Sequence, residues 1–168
     1  GEELARLDRD VVAAHPDLVI WQLGTNAVLR RDDLASDAGM MRRGVDILKS
    51  DAIDVVLMDM QYAPRVLNRP AYPAMEQLIA DTAEHGEVGI YRRFEIMRYW
   101  QENDRFPVGM TAADGLHITD ASYACVAPSL GKAAAAGKAA KPAGKAASAA
   151  KAAAPSPAPA KKRKAAAG

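Results

Sequence analysis

Apolar residues recur along the first 130 positions in two rhythms, one spaced as on a helix face and the other nearly continuous, and the two alternate. Leu4, Leu7, Val11 and Val12 form a helical stripe that predicts a helix over Glu2 to Ala14, closed by His15-Pro16. Asp17 to Leu23 is a short apolar run, the pattern of a strand covered on both faces in a parallel sheet, and it ends at Gly24-Thr25-Asn26. Asp32 and Asp33 precede a helix running through Ser50, with Leu34, Met41, Val45 and Leu48 as its stripe. Ile53 to Met60 is a second strand of the buried type, left through the loop Gln61-Tyr62-Ala63-Pro64. An irregular stretch reaches Pro73, Ala74 to His85 is helical with Gly86 as its terminator, and Glu87 to Tyr91 is a brief third strand. Phe94, Met97, Tyr99 and Trp100 lie on a further helix that ends near Asn103. The loop from Phe106 to Ala113 then leads to a last helix over Ala121 to Leu130, with Thr119 and Asp120 as capping residues. This alternation predicts an α/β domain on a parallel sheet, in which ligands bind beyond the carboxyl ends of the strands.

Composition divides the chain near Gly131. Residues 131–168 hold nine Lys and Arg and no acidic residue, whereas residues 1–130 hold thirteen basic and all twenty-one acidic residues. The overall charge of +1 is therefore a cancellation between an acidic body at −8 and a basic tail at +9. A tail of Ala, Lys, Pro and Gly buries too little apolar surface to offset its ordering entropy, so a disordered tail over 131–168 is expected behind a domain at 1–130. Its terminal Lys161-Lys162-Arg163-Lys164 suits contact with nucleic acid or another polyanion by counterion release, and a tether lying on the acidic body is the alternative. Cys125 is the only cysteine, so no disulfide forms within the chain. Three scattered His residues give no metal-binding spacing, and neither a metal nor an organic cofactor is expected. No apolar run is long enough to cross a membrane, and no leader sequence is visible.

Candidate chemistry follows the strands. In Asp114-Gly115-Leu116-His117 the acid and the imidazole stand three residues apart, so a carboxylate can hold one ring nitrogen while the other faces a reactant, as a general base requires. In Gly24-Thr25-Asn26 the glycine permits a tight exit from the strand, and the Asn amide can donate to a developing oxyanion. Gln61 and Tyr62 are weaker candidates for lining a substrate pocket, and Arg92, Arg93 and Arg98 are read as a solvated helix face rather than an anion site.

Taken together, Val19-Ile20-Trp21-Gln22-Leu23-Gly24-Thr25-Asn26-Ala27 and Asp114-Gly115-Leu116-His117-Ile118-Thr119-Asp120 resemble blocks of the SGNH (GDSL-like) hydrolase superfamily of esterases and acyl hydrolases. The resemblance spans roughly Glu2 to Leu130 and implies a three-layer α/β/α, flavodoxin-like fold. It also implies Asn26 as an oxyanion-hole donor, His117 as general base and acid, and Asp114 as the residue orienting His117. Two departures stand out. Ala27 replaces the Asp that commonly ends the Gly-x-Asn-Asp block, and the family's Gly-Asp-Ser nucleophile block is missing, as is the block whose Gly adds a second oxyanion donor. Ser36, Ser50, Ser122, Ser129, Ser148 and Ser156 all fall on helices, helix ends or the tail. The expectation is a fragment that begins before the family's third strand, with an open apolar edge on Asp17 to Leu23, poor stability and almost no activity alone. Family members are often exported, which would suit a periplasmic or extracellular site, but the residues themselves leave the compartment open. The reading from another class is a non-catalytic α/β module whose basic tail recruits a polyanion.

Overall fold

The computed structural model of the chain describes residues 2–105 and 109–140. Three strands, β1 (Leu18–Gln22), β2 (Asp54–Met58) and β3 (Gly89–Tyr91), form a parallel sheet in the order β1-β2-β3. Leu18 is in register with Asp54, and Val56 with Gly89.

Successive side chains of β2 point to opposite faces, so its run of apolar residues feeds two cores. Val55 and Leu57 join the larger core, with Leu48 and Val45 of α3 (Leu34–Ser50) and Met75 and Ile79 of α5 (Tyr72–Gly86). On the other face Met58 meets Met97 of α6 (Arg93–Glu102) and Val126 of α7 (Asp120–Ala140). Helices therefore cover both faces of β2, giving the three-layer α/β/α arrangement expected. Leu48 and Leu57 are fully buried, and each such side chain contributes roughly 1.5–3 kcal/mol through burial.

β1 departs from its expected cover on both faces. Val19 and Trp21 pack on the larger core, but Ile20 on the opposite face keeps 43% of its surface exposed, and among the described residues β1 pairs with β2 alone. The first helix, α1 (Glu2–Asp10), is shorter than predicted; a single 3-10 turn over Val12–Ala14 follows it, and His15 closes that turn in the left-handed region. Two short helices fall where loops were expected, α2 (Thr25–Arg30) and α4 (Pro64–Leu67).

Gly86 was expected to stop α5, yet it is the last helical residue, and Glu87 takes the left-handed cap at φ 50°. Gly86 answers a different need: a Cβ there would stand 2.7 Å from Val45 Cγ1, so the glycine lets α5 lie close against α3. The last helix also exceeds its predicted end at Leu130. Ala and Lys are strong helix formers, and α7 runs through Pro128 and Gly131 to Ala140. The tail expected from Gly131 thus shares its first residues with α7, and positions 141–168 lie outside the described residues. No described helix is long and apolar enough to cross a membrane.

Candidate active site

The loop ahead of α7 builds the dyad from backbone constraints. Thr111 and Ile118 form an antiparallel bridge, and Ala112 N–H donates to the His117 carbonyl at 2.7 Å, so the chain folds back on itself around Asp114 to Leu116. Gly115 turns the loop at φ 67°, a conformation glycine adopts without cost, and its carbonyl accepts from Arg65 N–H of α4 at 3.0 Å. Asp114 then satisfies the turn it starts. Its Oδ1 accepts from the N–H groups of Leu116 and His117 at 2.9 and 3.0 Å, and its Oδ2 lies 2.5 Å from His117 Nδ1. His117 holds the Asp114 carboxyl down at about 2, with the Leu116 and His117 N–H groups adding to it, so Asp114 is ionised throughout the neutral range. Nδ1 is thereby committed, which leaves Nε2 as the ring nitrogen open to a reactant. The imidazole is largely solvent-exposed.

Just beyond this turn, Thr119 Oγ1 accepts from Ser122 N–H at 3.3 Å and caps α7, the role its residue type predicted. Ser122 is fully buried and donates to the Met110 carbonyl at 2.8 Å.

Asn26 sits in the first turn of α2 rather than in a loop, and it is exposed. The glycine before it is required twice over. Gly24 stands at φ 91°, and a Cβ there would lie 2.9 Å from Met75 and 3.0 Å from both Met60 and Ile79.

Gln61 joins the two motifs. It is buried, its Oε1 accepts from Thr25 Oγ1 at 2.8 Å, and its Nε2 donates to the Leu116 carbonyl at 3.3 Å. One amide thus spans from the residue beside Asn26 to the residue beside His117. Tyr62 is half-buried and meets the Phe94 ring edge-on at 5.2 Å.

Arg93 corrects the solvated-face reading. Arg92 and Arg98 are exposed, and Arg98 pairs with Glu95 at 2.6 Å, but Arg93 turns inward and is buried. Its Nη2 donates to Gln61 Oε1 at 3.0 Å and to the Asp59 carbonyl at 2.8 Å, and its Nη1 donates to Gln22 Oε1 at 3.2 Å. Asp59, buried at the exit of β2, accepts from Phe94 N–H at 2.9 Å and so satisfies an orphan donor at the start of α6. Sequence reasoning missed Thr25, Asp59 and Arg93, and with them Glu76 of α5, whose Oε1 accepts from Met60 N–H at 3.2 Å, because their partners lie far away in the chain. The only local signal was an arginine pair, Arg92-Arg93, set between Tyr91 and Phe94. Among the described residues no three His, Cys, Asp or Glu side chains gather as metal ligands would.

Residues 1–140 match the model of the non-GDSL lipase-like family. The chain belongs to that family. Solved structures with the same fold include an acetylxylan esterase from Geobacillus stearothermophilus, at 20% identity and a TM-score of 0.64, covering 79% of this chain and 65% of that one. An acetyl xylan esterase, AlAXEase, matches at 18% identity and a TM-score of 0.68 over 79% of this chain and 74% of its own. A GDSL-like lipase from Bacteroides thetaiotaomicron matches at 22% identity and a TM-score of 0.61, over 80% and 69%. No curated protein matches the chain. This non-GDSL lipase-like chain thus spans slightly under two thirds of the Geobacillus enzyme. The family match and these structures bear out the expected SGNH-like parallel α/β fold.

Proposed function

We propose that this member of the non-GDSL lipase-like family is an ester hydrolase working through a Ser-His-Asp triad, of which this chain carries His117 and Asp114. The observation that carries the reading is the pairing of His117 Nδ1 with an Asp114 carboxylate held ionised. In the reaction, Nε2 of His117 takes the proton of the attacking hydroxyl and later returns it to the leaving alcohol. Asp114 fixes the tautomer and balances the imidazolium, and the Asn26 amide donates to the tetrahedral oxyanion. This reading places the attacking Ser outside residues 1–168, in the Gly-Asp-Ser block that the sequence lacks. Ser122 is spent on Met110, Ser50 donates to the Ile47 carbonyl at 2.7 Å, and Ser36 and Ser129 sit on α3 and α7. The solved relatives include acetylxylan esterases, which makes acetyl esters the first substrates to test.

Hydrolysis of p-nitrophenyl acetate decides the matter. Residues 1–168 alone work at the background rate, while a longer natural chain with Gly-Asp-Ser turns over and loses on the order of 10⁴- to 10⁶-fold with His117→Ala. An inert longer chain, or one indifferent to His117→Ala, defeats the proposal.

The charge division favours a second activity for the tail over 131–168, contact with a polyanion, because nine basic residues stand there without an acidic one. Retention on heparin that falls steeply with salt supports it, and no retention at low salt removes it.

A further inference from the structure

Gln61 lies at the carboxyl end of the sheet, where its amide is shared among three segments distant in sequence. Its oxygen takes one hydrogen bond from Thr25 at the start of α2 and one from Arg93 at the start of α6, and its nitrogen gives one to the Leu116 carbonyl. Arg93 cannot swing away cheaply, because it also holds the Asp59 carbonyl and Gln22. An amide is the side chain this position calls for, since it must accept twice on one side and donate on the other.

We infer that Gln61, anchored by Arg93, is a positioning residue that sets the Asn26 turn against the Asp114–His117 turn. This rests on the roles proposed above for Asn26 and His117. Gln61 itself is buried and has its amide engaged by protein groups, so it acts through its neighbours rather than on a substrate. Thr25 and Leu116 each stand one residue before a proposed site residue, so a shift of the amide moves both. Loss of either hydrogen bond therefore loosens the placement of oxyanion donor relative to base. Misplacement on the scale of an ångström costs up to about a hundred-fold in rate.

The test follows the hydrogen-bonded path from Thr25 through the Gln61 amide to the Leu116 carbonyl; α2 also packs on α4, whose Arg65 N–H reaches Gly115, so the hydroxyl alone is removed and the packing is kept. Thr25→Val keeps the shape and removes the hydroxyl, and Thr25→Ser restores it. In ¹⁵N-resolved spectra of the full protein, Thr25→Val is expected to move the Leu116 and His117 amide signals, and Thr25→Ser to leave them near their native positions. Gln61→Glu still accepts from Thr25 and Arg93 but loses the donor to Leu116; it should displace the His117 turn and spare Thr25. If Thr25→Val shifts stay within α2 and Gln61, the coupling does not exist and the inference falls. Hydrolysis is a separate readout: in an active protein Thr25→Val lowers kcat on the order of ten-fold with KM unchanged. An unchanged kcat overturns the positioning role. A full protein that hydrolyses no ester but shows the coupled shifts defeats the hydrolase reading alone.

Discussion

Glu76 of α5 and Asp59 at the exit of β2 are neighbouring carboxyls, close enough for the Asp59 charge to act on Glu76. Met60 N–H donates to Glu76 Oε1 at 3.2 Å and Phe94 N–H to Asp59 Oδ1 at 2.9 Å, while no N–H or hydroxyl among the described residues reaches Asp59 Oδ2. Two carboxylates in such surroundings cannot both be charged cheaply, so the pair keeps a proton. Burial first, and the Asp59 charge second, push Glu76 up to about 8. Arg93 beside the pair balances the charge that stays.

That proton makes stability depend on pH in a defined direction. A carboxyl raised in the folded state binds more protons folded than unfolded, so stability falls as pH rises from the unfolded value, about 4.3, toward 8, and is flat above. The expected loss is roughly 1–2 kcal/mol, less than the full linkage because Glu76 is only part-buried and solvent screens it. Urea midpoints measured from pH 5 to pH 9 should fall accordingly, and Glu76→Gln should flatten the profile. A profile that rises over this range contradicts the retained proton.

Asp114 is the opposite case. Its carboxyl is held at about 2 in the folded state, so its contribution is complete above the unfolded value near 4 and is lost as pH falls through 2. The Leu116 and His117 amide signals, whose N–H groups donate to Asp114, should titrate together in that acid range. Asp114→Asn should abolish the titration. If those amides titrate unchanged in Asp114→Asn, another group governs the turn.

Gly86→Ala should destabilise the protein by about 1–3 kcal/mol, because its Cβ would meet Val45 Cγ1 at 2.7 Å and a packed core resists insertion. Val45→Ala makes room, so the double variant should be more stable than the sum of the two single losses predicts. Strict additivity in thermal unfolding would show that α3 and α5 give way elsewhere.

Gly24→Ala should be the costlier change, since it adds strain at φ 91° to three contacts at or below 3.0 Å. A loss above about 2 kcal/mol in chemical unfolding is expected. Tolerance of alanine at this position would mean that α2 leaves the sheet by another path.

The three strands and the Asp114–His117 pair were legible in the sequence because their signals are local: a run of adjacent apolar residues, and an acid three positions from an imidazole. The short helices α2 and α4 were not, since four to six residues are too few to display a 3.6-residue period. Gly86 was recognised as special for the wrong reason, because a glycine that ends a helix and one that admits a neighbouring side chain look alike in one dimension. Cover on both faces of β1 was read from composition, but apolar content says what a strand can bury and not what lies over it, as exposed Ile20 shows. Arg93 and Gln61 were hardest. A buried guanidinium is identifiable only from its acceptors, and here these come from β1, the end of β2 and the loop that follows it.

Gly24 also ties the oil of the interior to the site proposed at the rim. The bend that delivers Asn26 rests on Met60, Met75 and Ile79, three side chains with no part in ester chemistry. A volume change among them would tilt α2 and move the amide it carries, on top of its cost in stability. Sequence drift in this core therefore reaches the proposed oxyanion donor, and compensating pairs among positions 60, 75 and 79 are where selection on that proposed role would leave its mark.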